Sequence, residues 1–331
     1  MKKLPSNLAV SFLMSTLVTP QALASENGSS LWAKASIEIS EYVSASPAVE
    51  PLNPTYFMFS PSLNAATRKH ASEILQRSFR TWSPLYVPSL KLKDIDAKNS
   101  YVAIIYASAD LNWAQSKADA FIGGSRSLAA ERWSATKCNG GNAGNGWSFT
   151  GCLNNSDVKP IHDQLIGHEY THSVQQGVAC KNSAGCGLPS WLSEGVATFY
   201  GWITAFPPGK ASYSSVENAL SSSLPCGYNL KHGGTSSQSY KKRNAYKTMI
   251  NIEKLQDDNS FLQYGYGAIA TTILLANHGG QQSLNDFYSN FDKDRWREVF
   301  EESFHISVDD FYKEISANIK KFDKALTCNR K

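Results

Sequence analysis

The stretch His168-Glu169-Tyr170-Thr171-His172 constrains this chain more than any other. It reads H-E-x-x-H. On an α-helix, residues four apart lie on one face, so both imidazoles point the same way. The flanks favour a helix: Pro160 suits a first turn and Gly177 a C-terminal stop. Between them Ile161, Leu165, His168 and His172 fall on one stripe, so the histidines continue an apolar face and turn inward. Two imidazoles at this spacing can hold one Zn²⁺. Glu169, beside the first of them, is placed to take a proton from a metal-activated water. The competing reading is a chance match on a solvated helix face.

Such chemistry needs a third ligand, and a carboxylate interrupts the helix-forming run Trp191-Leu192-Ser193-Glu194-Gly195-Val196-Ala197-Thr198-Phe199-Tyr200. A carboxylate buried in an apolar helix needs a cation or a hydrogen-bond partner. The alternative for Glu194 is a first-turn acid stabilised by the helix dipole.

H-E-x-x-H followed by W-L-x-E-G-x-A resembles the gluzincins, zinc metallopeptidases with two His and one Glu as ligands. The resemblance implies one zinc per chain on His168, His172 and Glu194, with Glu169 as general base. It covers residues 60 to 315 in pattern, but only two short motifs in strict letters. Ser173-Val174-Gln175 after His172 rules out the metzincin G-x-x-H continuation. Thr198 stands where the thermolysin branch has an Asp. The G-x-M-E-N segment of the aminopeptidase N branch is missing upstream, as is that branch's shorter gap between His and Glu.

Residues 1 to 24 read as a signal peptide: Lys2 and Lys3 open it, Leu8 to Val18 is apolar but too short to span a bilayer, and Ala22-Leu23-Ala24 is a cleavage site. A short membrane anchor is the alternative. Cleavage would leave an exported chain, periplasmic or secreted, without a stable membrane anchor. Losing the two lysines takes 32 basic side chains to 30, against 28 acidic ones. That near balance is no electrostatic footprint for nucleic acid. Six cysteines agree with export. Proximity pairs Cys138 with Cys152 and Cys180 with Cys186, which leaves Cys226 for Cys328.

Roughly 300 residues after cleavage suffice for a large core, in one long domain or two close lobes. Residues 25 to 53 are polar and without clear periodicity. Tyr56 to Phe59 reads as a short strand, Asn64 to Trp82 as a helix, Tyr101 to Tyr106 as the strongest strand and Ala109 to Lys117 as a short helix. The Gly/Asn-rich segment at 139–146 lacks the G-K-[ST] ending of a phosphate cradle and reads as a disulfide-stapled hairpin or loop tip. After Glu194 the pattern is mainly helical: Tyr246 to Leu255, Tyr266 to Asn277, Leu284 to Phe291, Trp296 to Phe304 and Val308 to Phe322, with a Ser/Gly-rich loop at 210–243. Lys241-Lys242-Arg243 fits a solvated helix start better than a binding patch.

The resemblance turns this order into an α+β expectation. A small α/β lobe with a short mixed sheet, residues 25–177, ends in the H-E-x-x-H helix. A mainly helical lobe, 178–331, follows, with the active-site cleft between them. In gluzincins an edge strand near the motif pairs with substrate backbone, and Trp147 to Leu153 is the candidate. Some gluzincins carry Y-x-x-G with an oxyanion-stabilising hydroxyl. Tyr264 matches that spacing and Tyr266 does not; a plain core or surface tyrosine is the alternative. His70, His162, His232, His278 and His305 lack partners at ligand spacing and read as structural or exposed.

The expectation is an exported zinc peptidase acting on peptides or proteins, with the missing aminopeptidase segment favouring an endopeptidase. Two alternatives remain at this point: an exported binding protein that keeps zinc without turnover, and a zinc hydrolase of non-peptide amides.

Overall fold

The computed structural model describes residues 28–92, 95–98, 100–122, 127–138, 140–157, 160–181, 186–206, 214, 244–254 and 262–322. The expected leader at 1–24, Cys226, Cys328, His232, Lys241-Lys242-Arg243 and nearly all of the expected 210–243 loop lie outside the described residues.

The first element corrects the sequence reading. Residues taken as aperiodic form helix α1, Gly28–Ala45. Leu31, Trp32, Ala35 and Ile39 recur at helical spacing and are all buried. Serine and glutamate between them masked this stripe. The Trp32 ring packs 4.9 Å from that of Phe199. Pro47 lies two residues past the end, and the residue before a proline avoids the helical conformation.

Next comes a four-stranded mixed sheet. β1 (Phe57–Phe59) pairs parallel with β4 (Val102–Tyr106), β4 pairs parallel with β8 (Ser148–Cys152), and β8 pairs antiparallel with β7 (Gly141–Asn145). Two small antiparallel ribbons lie outside it: β2 (Ser89–Leu92) with β3 (Ile95–Lys98), and β5 (Arg132–Ser134) with β6 (Lys137–Cys138). β4 is buried on both faces, as a strand with a parallel neighbour on each side must be. Its period of two divides the interior. Val102, Ile104 and Tyr106 pack toward Ala114 and Ala118 of α3 (Leu111–Phe121). Ala103 and Ile105 join the larger cluster on the other face.

The strand order overturns one expectation. Residues 148–152 are not an edge strand; they lie between β4 and β7. The edge belongs to the Gly/Asn-rich segment, which forms a hairpin with β8 through Gly146 and Trp147. Disulfide Cys138–Cys152 ties β6 to β8.

Helix α2 (Ala65–Trp82) starts where the sequence places it: the Asn64 side chain accepts the Thr67 N–H at 2.8 Å. Ala71, Ile74, Leu75, Ser78 and Phe79 form its buried face. α4 spans Pro160–Gly177 and α5 spans Ser190–Ala205, with disulfide Cys180–Cys186 in the connection. α6 (Ala245–Glu253), α7 (Leu262–Asn277), α8 (Gly280–Asn290), α9 (Trp296–Phe304) and α10 (Val308–Asn318) follow among the described residues, which are α+β and mainly helical. α7 begins four residues before the expected start, so Tyr264 and Tyr266 lie within its first turns rather than ahead of it.

α5 is buried nearly all round, with α4 against one side and α7 against another. Glycines set both distances. A Cβ on Gly167 of α4 would come within 3.1 Å of Gly201 Cα on α5, and one on Gly267 of α7 within 2.6 Å of Gly195 Cα. Three helices are thereby drawn together at the level of the H-E-x-x-H motif. The larger apolar cluster runs from Leu31 to Phe322 and includes side chains from all three.

Candidate metal centre

α4 carries His168 and His172 one turn apart, and α5 brings Glu194 against them. His172 Nε2 lies 3.0 Å from His168 Nε2 and 3.2 Å from Glu194 Oε2, and His168 Nε2 lies 3.3 Å from the same oxygen. Tetrahedral zinc with bonds of 2.0–2.1 Å separates its ligand atoms by about 3.3 Å. The three donors therefore already stand at the edge lengths of one face of such a tetrahedron. No other group of three His, Cys, Asp or Glu side chains among the described residues can share a metal ion.

The surroundings decide which nitrogen faces inward. Gln175 Oε1 sits 2.8 Å from His172 Nδ1, and an amide oxygen only accepts, so Nδ1 carries the hydrogen. Thr198 Oγ1 lies 3.4 Å from His168 Nδ1 and can accept in the same way. Both Nε2 lone pairs then converge with a carboxylate oxygen. Three lone pairs at this separation repel unless a proton or a metal ion lies between them, and the chemistry of the donor set fits a metal.

Charge follows the same logic. Burial pushes the His172 imidazole down, but the adjacent Glu194 carboxylate outweighs it and raises the group to about 9. Burial pushes Glu194 up, and the two imidazoles more than reverse this, holding it well below the usual carboxylate range. Glu169 goes the other way. Burial raises it, His168 and His172 oppose that, and the Ala143 N–H donates to its carboxylate from the edge strand. Gly141 is required here, because a Cβ would stand 2.5 Å from the Thr150 carbonyl oxygen and 3.0 Å from the Glu169 side chain.

Tyr264 reaches the site from α7. Its ring lies 5.8 Å from that of His168, nearly parallel, and its hydroxyl donates to Glu194. Burial, with the carboxylates of Glu194 and Glu169, holds the phenol protonated. Tyr266, two residues on, is fully buried in the main core. The two tyrosines are thus separated by tertiary position, and only Tyr264 lines the site.

Family models, curated proteins and solved structures give no match to this chain. The site's own geometry therefore carries its interpretation.

A cavity of about 480 Å³ opens over the donors. Its wall includes Gly141, Asn142 and Ala143 of β7, Gln176 of α4, Ser193 of α5 and Tyr264. Cys180, Cys186 and Leu188 of the α4–α5 connection form another part. Sequence reasoning missed three of these contributions: Gln175, the β7 backbone and the disulfide rim. Gln175 had a signal, since it follows His172 by three residues and shares its helix face. The Gly/Asn run signalled a hairpin or loop tip, but nothing in it placed the β7 backbone against Glu169.

Among the described side chains, His70, His278 and His305 are not part of the cavity lining. His70 Nε2 pairs with Asp163 at 2.8 Å and His278 Nε2 with Glu314 at 2.7 Å. His305 is exposed and ends α9 in the left-handed conformation. The side chain of His162 is outside the described set.

Proposed function

We propose that this chain is an exported zinc-dependent peptidase of the gluzincin type, most simply an endopeptidase. The single observation that carries the reading is the placement of Glu169 and Tyr264 around the His168–His172–Glu194 triangle, all facing one cavity. Bound zinc would supply Lewis acidity, polarising a water and the scissile carbonyl.

The chain's own groups do the rest. Glu169 accepts a proton from the attacking water and passes it to the leaving amine. A buried carboxyl with a raised affinity for protons suits both halves of that transfer. Tyr264, whose phenol stays protonated, donates a hydrogen bond to the carbonyl oxygen as it gains negative charge. Among the described residues β7 is the outer strand of the sheet; it borders the cavity and can pair with an extended peptide, which favours a polymeric substrate over a small amide. In this reading the cavity is the cleft between an α/β part ending at Gly177 and a helical part beyond it.

Export rests on the leader-like residues 1–24 together with two disulfides in the described chain. None of the described helices is long and apolar enough to cross a membrane.

The test is metal analysis combined with digestion of casein and a peptide library, with and without chelator. About one zinc per chain and chelator-sensitive cleavage, restored by zinc, are expected. No zinc after folding in zinc-containing medium overturns the reading. Zinc without cleavage of any peptide leaves a binding protein or a zinc hydrolase of non-peptide amides.

A further inference from the structure

Gln175 lies in the interior, 2 % exposed, and connects three helices. Its Nε2 is 3.0 Å from the Ser193 carbonyl and 3.4 Å from the Leu192 carbonyl on α5, and 2.9 Å from the Tyr288 hydroxyl on α8. Backbone carbonyls only accept hydrogen bonds, so the amide nitrogen must face α5. Chemistry thereby fixes the orientation of the amide. The oxygen is left facing His172 Nδ1, and that nitrogen must carry its hydrogen toward Gln175. The consequence reaches a second ligand, because Ser193 is the residue before Glu194.

We propose that Gln175 is a positioning residue that aims two donors at once, holding His172 in the Nδ1–H form with Nε2 toward the cavity and anchoring the backbone that carries Glu194. This rests on the zinc reading above. Partners behind a metal-ligating imidazole are often carboxylates or lone backbone carbonyls. An amide can also donate, so here one side chain locks the ring of one ligand helix against the main chain of the other. Gln175 is not one of the three donors, and its effect is exerted through His172 and Glu194.

Zinc affinity tests this directly, measured on the full chain by competition with a chromophoric chelator. Gln175→Met keeps length and loses both hydrogen-bonding functions; its zinc affinity should fall about 10–100-fold. Gln175→Glu still accepts the Nδ1–H and should recover part of that loss. In a His172→Ala background Gln175→Met should cost clearly less than in the parent, as coupled residues do in a double-mutant cycle. An equal loss in both backgrounds would mean that Gln175 does not act through His172 and overturns the proposal.

A second measurement guards against a variant that folds poorly. In zinc-loaded protein the His172 Nδ1–H proton resonance should move downfield in Gln175→Glu, because a carboxylate is the stronger acceptor. An unmoved resonance overturns the assignment. A parent that binds no zinc overturns this proposal together with the function. A parent that binds zinc, with Gln175→Met binding it equally, overturns this proposal alone.

Discussion

Gly195 and Gly267 meet backbone to backbone where α5 crosses α7. Each is next to, or one turn from, a residue of the site: Gly195 follows Glu194, and Gly267 lies three residues after Tyr264. The crossing is therefore what brings the Tyr264 hydroxyl to the Glu194 carboxylate. A side chain at either position must push the helices apart, since a Cβ on Gly267 would also stand 2.8 Å from the Trp191 carbonyl. Gly267→Ala should lower stability by ~1–3 kcal/mol, the usual cost of overpacking, and reduce turnover by shifting Tyr264. Denaturant unfolding of the chelated protein checks the first part. An unchanged midpoint would show that the helices have room to spare.

Glu169→Gln should keep zinc and lose turnover. The amide preserves the shape beside His168 but cannot take the proton, and general-base catalysis typically contributes ~10²–10⁴-fold. Steady-state rates beside metal content decide it. Parent-like hydrolysis by this variant means that another group is the base.

Tyr264→Phe and Tyr266→Phe should behave differently. Losing an oxyanion donor costs ~10²–10³ in kcat with little change in KM or zinc content, and this is expected of Tyr264→Phe. Tyr266 is sealed in the core, so its hydroxyl can affect stability but cannot reach a substrate. If kcat is constant in both variants, Tyr264 is a packing residue and the carbonyl oxygen finds its donor elsewhere.

Thiol labelling of the unreduced, denatured chain should find no reactive cysteine. Cys138–Cys152 and Cys180–Cys186 account for four of the six. The same reagent would mark Cys226 and Cys328 if that third pair does not form. Cys180 and Cys186 also border the cavity, so Cys186→Ser should alter KM more than it alters zinc binding. Peptide kinetics on that variant, with metal content measured in parallel, provides the check.

The His278–Glu314 pair offers a pH test remote from the cavity. Burial pushes the half-buried Glu314 up, but the hydrogen bonds from His278 and Asn277 outweigh it and leave the carboxyl below its ordinary value. A depressed carboxylate stabilises the fold above its unfolded-state value near 4.5 and loses that contribution as pH falls through the folded one. Glu314→Gln should therefore be less stable than the parent at neutral pH, and the two should converge in acid. A gap that persists unchanged at low pH would mean that the effect is not electrostatic.

Much of this was legible in the chain itself. The spacing of His168 and His172 on an apolar stripe required a helix that faces inward, because helix geometry depends on neighbours within two turns. The helical pattern at Asn64 to Trp82 and the β-branched run at Val102–Tyr106 are local signals of the same kind. Cys138–Cys152 and Cys180–Cys186 were readable because short loops keep paired thiols close. Even the missed α1 was written there, in Leu31, Trp32, Ala35 and Ile39, behind a polar composition.

What the tertiary structure decided is what depends on residues far apart in sequence. Whether Tyr264 or Tyr266 faces the donors turns on the Gly195–Gly267 crossing, and no local pattern encodes where one helix meets another. That β7 rather than β8 forms the sheet edge follows from which strand pairs with β4, a long-range hydrogen-bonding choice that a Gly/Asn-rich run does not announce. Gln175 becomes the partner of His172 only because α5 offers carbonyls to its nitrogen and so turns its oxygen toward the imidazole. The sequence placed the donors on their helices; the packing of α4, α5 and α7 set the distances between them, because those distances are fixed by backbone approach at glycine and not by the spacing of letters.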